Sequence, residues 1–330
     1  MQTEILQIDD NSLSKCKEII LNDGAVAFPT ETVYGLGANA FDTAAVENVF
    51  KIKGRPNDNP LIVHVHKDYD IKKLVSFVPE YAKKLAKAFL PGPLTFVFKS
   101  KGVVSPAVSC GLDTLAIRVP SHEGAQKFLK FVDLPIAAPS ANVSKHVSPV
   151  TAEHVFSDLN GKIEIILDGG KCSGGIESTV LDCTGEIPVI LRSGLITKEM
   201  ISKVAGDCKQ YEQKEGEKVR SPGMKYKHYS PNCRTMLFSF DEKDVAVEKY
   251  YESLNNGVKA YILCEYKTAQ IIGVDNVLNL GESENEIASN LYLKLREGEK
   301  IAELIIAIAP QNQDGVMVGV MNRLTKACKS

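Results

Sequence analysis

No Cys-x-x-Cys pair occurs in this chain: its eight cysteines, at positions 16, 110, 172, 183, 208, 233, 264 and 328, are scattered. Such spacing does not suit a structural zinc site. No stretch approaches the roughly 18 consecutive apolar residues of a membrane-spanning helix. The opening residues, MQTEILQIDD, are acidic and lack the apolar core of a secretory signal. A reducing cytoplasm with free thiols is the expected compartment, and the glycosylation-type triplet Asn142-Val143-Ser144 is then coincidental. An excess of positive charge is missing too: 39 Lys and Arg against 41 Asp and Glu leave a net charge of −2. An extended nucleic-acid footprint is therefore not expected, although a small basic patch is compatible with it.

What remains is an ordinary soluble composition, 44% hydrophobic and 24% charged. At 330 residues, length favours two domains, because single cores stop growing near about 250 to 300 residues. Through the first two hundred residues, strand-like runs alternate with helix-like ones. The strands are expected at 25–28, 61–66, 94–98, 115–119, 163–168, 178–182 and 189–192. The helices are expected at 12–21, 43–53, 79–89, 121–131, 151–159 and 197–204. This pattern predicts an α/β or α+β sheet with helices packed on it. Residues 206–232 interrupt it with a Lys-, Glu- and Gly-rich stretch and read as a linker. Alternation resumes from Cys233 as a small α/β domain. The expected domains are thus 1–205, a linker at 206–232, and 233–330.

The most informative stretch is Phe28-Pro29-Thr30-Glu31-Thr32-Val33-Tyr34-Gly35-Leu36-Gly37. It follows a short apolar strand, precedes a helix, and reads as a glycine-rich strand-to-helix connection carrying polar groups. Gly35-Leu36-Gly37-Ala38-Asn39-Ala40 fits the loose dinucleotide pattern Gly-x-Gly-x-x-Ala. Six residues separate those glycines from the strand, which argues against a Rossmann cofactor site.

Other constellations follow. Residues 61–66 alternate with period two, which puts Leu61, Val63 and Val65 on one face and Ile62, His64 and His66 on the other. In Leu115–Val119 the same alternation turns Arg118 away from the core beside Ala116. Arg118 reads either as a fork projecting into a concavity to grip a carboxylate or as a solvated edge arginine. His64 alone reads first as a satisfied core or surface histidine. The segment 51–60 packs three cations, Lys51, Lys53 and Arg55, with two asparagines; it can serve phosphate oxygens or merely the C-terminal dipole of a helix. Ala137–Ser144 offers small residues with donors at Ser140 and Asn142, or a turn followed by a cap at Ser148 or Thr151. Gly169–Val180 is glycine-dense but contains no Walker A pattern. No Ser-His-Asp order, metal-ligand cluster or paired-carboxylate motif stands out. Such an inventory binds and positions anions and supplies no covalent nucleophile.

FPTETVYGLG, KIKGRPNDNPLIVHV, PGPLTFVF, AIRVPSH, APSANVSKHVSP, GGIESTVLD and ILRSG occur here in the order found in YrdC-like domains. With SPGMKYKHYSP and a second α/β domain after them, the chain resembles the long, two-domain form of the threonylcarbamoyl-AMP synthase family. The resemblance covers nearly the whole chain. It implies a twisted open mixed α/β sheet with a concave basic cavity, plus a smaller Rossmann-like α/β domain. It implies formation of L-threonylcarbamoyladenylate and pyrophosphate from L-threonine, bicarbonate and ATP, for tRNA modification by a downstream transferase complex. Carried over residue by residue, it places Thr32, His64, Arg118, Ala138 and Ser178 in an L-threonine pocket. It places Lys53, Arg55, Asn59, Thr114, Ser140, Asn142, Ser148 and Arg192 at ATP, with the linker tyrosine Tyr229 reaching the nucleotide as the linker closes. Glycines 35 and 37 would let substrate approach the backbone. Mg2+ is expected to be held mainly by the triphosphate, with no metal ligand from protein side chains. Binding of tRNA is expected to be weak or indirect, and no membrane partner is expected. The rival readings are a non-catalytic RNA-binding YrdC-like module and a carbamoyl-transfer maturation factor; the missing Cys-x-x-Cys pairs count against the latter.

Overall fold

A computed structural model describes residues 2–211 and 229–328. Two compact units emerge. The first comprises Met1–Ser144, Pro149–Ser173 and Glu177–Lys225; the second comprises Lys145–Ser148, Gly174–Ile176 and Tyr226–Ser330. A contiguous division of the sequence does not anticipate that two short pieces of the N-terminal half group with the C-terminal unit. Most of the stretch read as a linker, residues 212–228, lies outside the described residues.

The first unit is built on strands β1 (Glu4–Gln7), β2 (Val26–Phe28), β3 (Gly35–Asn39), β4 (Ile62–His64), β5 (Leu94–Lys99), β6 (Thr114–Arg118), β7 (Ile136–Ala138), β8 (Ile165–Asp168), β9 (Thr179–Asp182), β10 (Val189–Arg192) and β11 (Lys209–Gln210). They form one eleven-stranded sheet in the order β1-β8-β2-β3-β7-β4-β6-β5-β9-β10-β11. Its pairing is mixed: β4 runs parallel to β6, and β5 antiparallel to it. The helices are α1 (Asp10–Leu21), α2 (Thr43–Lys53), α3 (Glu80–Phe89), α4 (Pro106–Ser109), α5 (Glu123–Val132), α6 (Ala152–Leu159) and α7 (Lys198–Ala205).

Period-two alternation decides which face each strand residue serves. Leu61, Val63, Val65, Leu115, Ile117 and Val119 enter one core with Phe96, Phe98 and Leu181, covered by Val46 and Phe50 of α2, Leu85 of α3 and Ile201 of α7. Each fully buried Leu, Val, Ile or Phe in this core contributes about 1.5–3 kcal/mol. The opposite face is treated differently at its two ends. Around β2, β7 and β8, Val26, Phe28, Ile136, Ala138 and Leu167 are covered by Leu13, Cys16 and Ile20 of α1 and by Phe128 and Leu129 of α5. Around β4, β6, β5, β9 and β10 the apolar cluster is only Ile62, Val97, Ala116, Val180 and Leu191, with Val189 and Tyr211 packed against it. Among the described residues that small cluster includes no helical side chain.

The second unit holds β12 (Arg234–Phe238), β13 (Ala260–Cys264), β14 (Val277–Asn279) and β15 (Leu304–Ile308) with helices α8 (Lys243–Asn255), α9 (Tyr266–Ile272), α10 (Glu284–Ile301) and α11 (Val316–Cys328). Its sheet runs β12-β15-β13-β14 and every pair is parallel. Strand-helix alternation suits such a sheet because each parallel crossover requires a helix. Among the described residues, no helix of either unit is long and apolar enough to cross a membrane.

Candidate active site

Cross-strand register assembles one row of buried side chains on the same face as the small Ile62, Val97, Ala116, Val180 and Leu191 cluster. His64 of β4 pairs with Arg118 of β6, Arg118 with Thr95 of β5, Thr95 with Val180 of β9, and Val180 with Arg192 of β10. Paired residues share a face, so a histidine, two arginines and a threonine project to the same side. Arg192 reaches that side through a register shift between Ile190 and Arg192. Strict alternation would leave Leu191 opposite Val180 and turn Arg192 to the helix-covered face; the extra residue of a bulge re-aims it.

Arg118 is anchored from two sides. Its Nη1 donates to Thr32 Oγ1 at 2.8 Å, and its Nη2 lies 2.8 Å from Glu31 Oε1. Thr32 is free to accept because the hydroxyls form a directed chain. Thr30 donates to the Val33 carbonyl at 2.6 Å, so Thr32, 2.9 Å from Thr30, donates back to Thr30 Oγ1. Glu31 Oε2 accepts from the Ser121 N–H at 3.0 Å. The sequence reading left the guanidinium awaiting a carboxylate; the fold supplies one of its own, Glu31. The signal was present in Thr30-Glu31-Thr32, since a buried arginine needs a buried acid to offset its desolvation. Beside the pair, burial first and the Arg118 charge second pull the His64 imidazole down to about 3. Its Nδ1 lies 3.1 Å from the Ile62 carbonyl. At neutral pH His64 is therefore an uncharged partner. Cys172 is buried nearby, within reach of the Thr30 backbone, and burial pushes its thiol up to about 12, so it carries no thiolate.

Ser178 and Arg192, assigned by resemblance to different substrates, touch each other. Arg192 Nε donates to the Ser178 carbonyl at 3.1 Å and its Nη2 to Ser178 Oγ at 3.2 Å, while Ser178 Oγ and Thr95 Oγ1 are 2.7 Å apart. Thr95, which the sequence reading did not single out, thus bridges the row. Thr114 and Ala116 continue β6 beside Arg118, Thr114 opposite Lys99 and Ala116 opposite Ile62. Ala138 of β7 lies across from Ile62 as well.

The Lys53 and Ser140-x-Asn142 signatures meet in one contact. Lys53, at the C-terminus of α2, is 3% exposed. Its ammonium donates to the Ser140 and Asn142 carbonyls and, at 3.4 Å, to Asn142 Oδ1. Ser140 Oγ donates to the same amide oxygen at 2.5 Å. Lys53 therefore shapes the 140–142 loop. Gly54, left-handed at φ 59°, ends α2 and lets the Arg55 N–H bond back to Phe50. From there Arg55 Nη2 donates to the Asn59 carbonyl at 2.8 Å. Asn59 is fully buried, yet among the described residues its side-chain amide has no hydrogen-bond partner. A buried amide left open in this way is what a polar ligand satisfies.

Residues 29–34 join β2 to β3 as a hairpin, since β3 pairs antiparallel with β2; the strand-to-helix reading missed that strand. A Cβ at Gly37 would lie 2.5 Å from Ile136 Cγ2 and 2.8 Å from Phe28 Cε1, and one at Gly35 3.2 Å from the Phe28 ring. These glycines make room for the protein's own side chains. Gly35–Asn39 being a strand also agrees with rejecting a dinucleotide loop there. Tyr34 is a strut: its hydroxyl donates to the Gly170 carbonyl at 2.8 Å and accepts from the Gly169 N–H at 3.1 Å. The remaining expected residues, Ser148 and Tyr229, fall in the second unit, where both are buried. Tyr229 stacks on Tyr292 with ring centroids 5.3 Å apart. Among the described residues no three His, Cys, Asp or Glu side chains gather as a metal site.

Two family models match the chain in succession. The Sua5, YciO and YrdC family model, described under telomere recombination, matches residues 18–194, and the model of the threonylcarbamoyl-AMP synthase C-terminal domain matches residues 196–328. The threonylcarbamoyl-AMP synthase of Pyrococcus abyssi is 43% identical, covering 92% of this chain and 89% of its own length. That of Bacillus subtilis is 41% identical, covering 98% and 95%. A crystal structure of P. abyssi Sua5 complexed with L-threonine aligns with a TM-score of 0.92 at 39% identity, over 99% of this chain and 98% of that one. Full-length identity of this size, with both family models in succession, places the chain in the threonylcarbamoyl-AMP synthase family, in the form that carries the C-terminal domain.

Proposed function

We infer that the chain condenses L-threonine, bicarbonate and ATP into L-threonylcarbamoyladenylate, releasing pyrophosphate and water. The observation that carries this reading is the row His64, Arg118, Thr95 and Arg192 on one face of one sheet, in a chain of this family. Arg118 would take the carboxylate of threonine, with the uncharged His64, Thr32, Ala138 and Ser178 around it. Arg192, Arg55, Asn59, Ser140 and Thr114 would meet ATP. The open amide of Asn59 supports that assignment, and the Lys53 contacts with residues 140–142 support a pre-shaped loop. The ammonium of bound threonine first gives up a proton to solvent; the neutral amine then attacks the carbon of bicarbonate and water leaves, giving a carbamate. A carbamate oxygen then attacks the α-phosphorus, and pyrophosphate leaves. No covalent protein nucleophile is required, because alignment and charge neutralisation carry phosphoryl-type transfer. Mg2+ would arrive with the nucleotide and be bound by its triphosphate oxygens.

The adenylate would serve threonylcarbamoyl modification of tRNA by a separate transferase complex. A net charge of −2 favours weak or indirect tRNA contact by this chain. Among the described residues no cysteine forms a disulfide, which fits a reducing compartment. Residues 206–232 are assigned the role of a linker that closes the site on resemblance alone, together with Ser148 and Tyr229 at the nucleotide. The test is pyrophosphate release by the purified chain. Release that requires L-threonine, bicarbonate and ATP together is expected; release without threonine would contradict the reading.

A further inference from the structure

Glu31 belongs to neither substrate set above, yet it is built into the centre of the row. Its side chain is 9% exposed and that of Arg118 is 4% exposed. One carboxylate oxygen takes the Ser121 N–H and the other faces Arg118 Nη2 at 2.8 Å. Arg118 Nε and Glu31 Oε1 both remain buried without a hydrogen-bond partner among the described residues, so the guanidinium keeps an unused donor while its Nη1 donates to Thr32 and its Nη2 stands in ionic contact with Glu31. The charges of the pair cancel.

We propose that Glu31 makes the pocket selective for a zwitterion, an α-amino acid carrying both carboxylate and ammonium, over a hydroxy acid of the same shape. The proposal rests on the reading that Arg118 receives the substrate carboxylate. An arginine alone in a buried site attracts any monoanion. An arginine already neutralised by a buried glutamate does not, because an added carboxylate leaves one uncompensated negative charge where water is scarce. A zwitterion brings its own cation, and Glu31 is the nearby acid that this ammonium balances. Glu31 thus sets specificity through charge, while Arg118 supplies the anchor.

The test is calorimetry on the full chain with two probes, L-threonine and 3-hydroxybutyrate, which is threonine without its amine. In the unaltered protein threonine is expected to bind at least about 30-fold more tightly, the worth of one charged contact; equal affinity overturns the proposal. Glu31→Gln keeps the shape and removes the charge. The threonine preference is expected to fall about tenfold or more, with 3-hydroxybutyrate gaining affinity. Equal shifts for both probes, as a purely structural support would give, overturn it. Glu31→Asp retains the charge and is expected to retain the preference; a fall like that of the Gln variant overturns it. Should Glu31→Gln fail to show a thermal unfolding transition, the unaltered protein and the Asp variant decide. Arg118→Ala separates the two readings: it is expected to lose both probes, and threonine binding that survives it refutes the Arg118 assignment itself.

Discussion

At the scale of single residues, the Arg118–Glu31 pair governs what substitutions do. On the proposed reading, Arg118→Ala removes a charged hydrogen bond to the threonine carboxylate worth about 1.5–3 kcal/mol, so threonine-dependent pyrophosphate release is expected to fall at least about tenfold. It also strands a buried Glu31 at a cost of about 3–5 kcal/mol, so a lower melting temperature accompanies the loss. A threonine KM near that of the unaltered protein would take Arg118 out of the pocket. His64 gives a pH signature. Its folded value of about 3 lies below the unfolded value of 6.5. Between those values the unfolded chain binds a proton that the folded one excludes. The resulting stability is present above pH 6.5 and is lost progressively as pH falls towards 3. His64→Gln is therefore expected to lose less stability than the unaltered protein between about pH 7 and pH 5, measured by urea unfolding; equal losses would show that His64 is not held neutral. Arg118 was legible because a single charged residue interrupts a period-two strand, whereas His64 was placed by the family resemblance. Thr95 was not legible, since a partner across the sheet is chosen by register, which a lone sequence does not display; Glu31 was visible in Thr30-Glu31-Thr32, but its pairing with Arg118 was not.

At the scale of elements, the sequence reading missed the short strands Glu4–Gln7, Lys209–Gln210 and Val277–Asn279 and two interior strands that share a composition. Gly35–Asn39 and Ile136–Ala138 are glycine- and alanine-rich, with little of the β-branched or aromatic content that marks a strand. Their smallness is a packing requirement, because β2, β3 and β7 bring Phe28 and Ile136 against the backbone of Gly37. Gly37→Ala is expected to cost about 1–3 kcal/mol in urea unfolding. Gly35→Ala, whose nearest contact is a ring edge at 3.2 Å, is expected to cost less; equal losses would contradict this packing. The Arg192 bulge was equally hidden: Val189–Arg192 was found as a strand, but strict alternation would have pointed Arg192 to the wrong face.

At the scale of the whole molecule, two successive α/β units were legible from hydrophobic periodicity and from the polar break near residue 206. The assignment of 145–148 and 174–176 to the second unit was not, because such groupings depend on long-range contacts. The linker assignment makes its own prediction. Removing residues 221–231 is expected to leave a folded protein, by circular dichroism, that synthesises little adenylate; full turnover would reduce the segment to a spacer. A chain acting only as an RNA-binding module would instead bind tRNA with a steep salt dependence and consume no ATP. The most direct test of the central claim is mass spectrometry of the product formed from ATP, L-threonine and carbon-13-labelled bicarbonate. The synthase reading requires a threonylcarbamoyl adenylate that carries the label and vanishes when any one substrate is omitted; an adenylate without the label, or no adenylate at all, would contradict it.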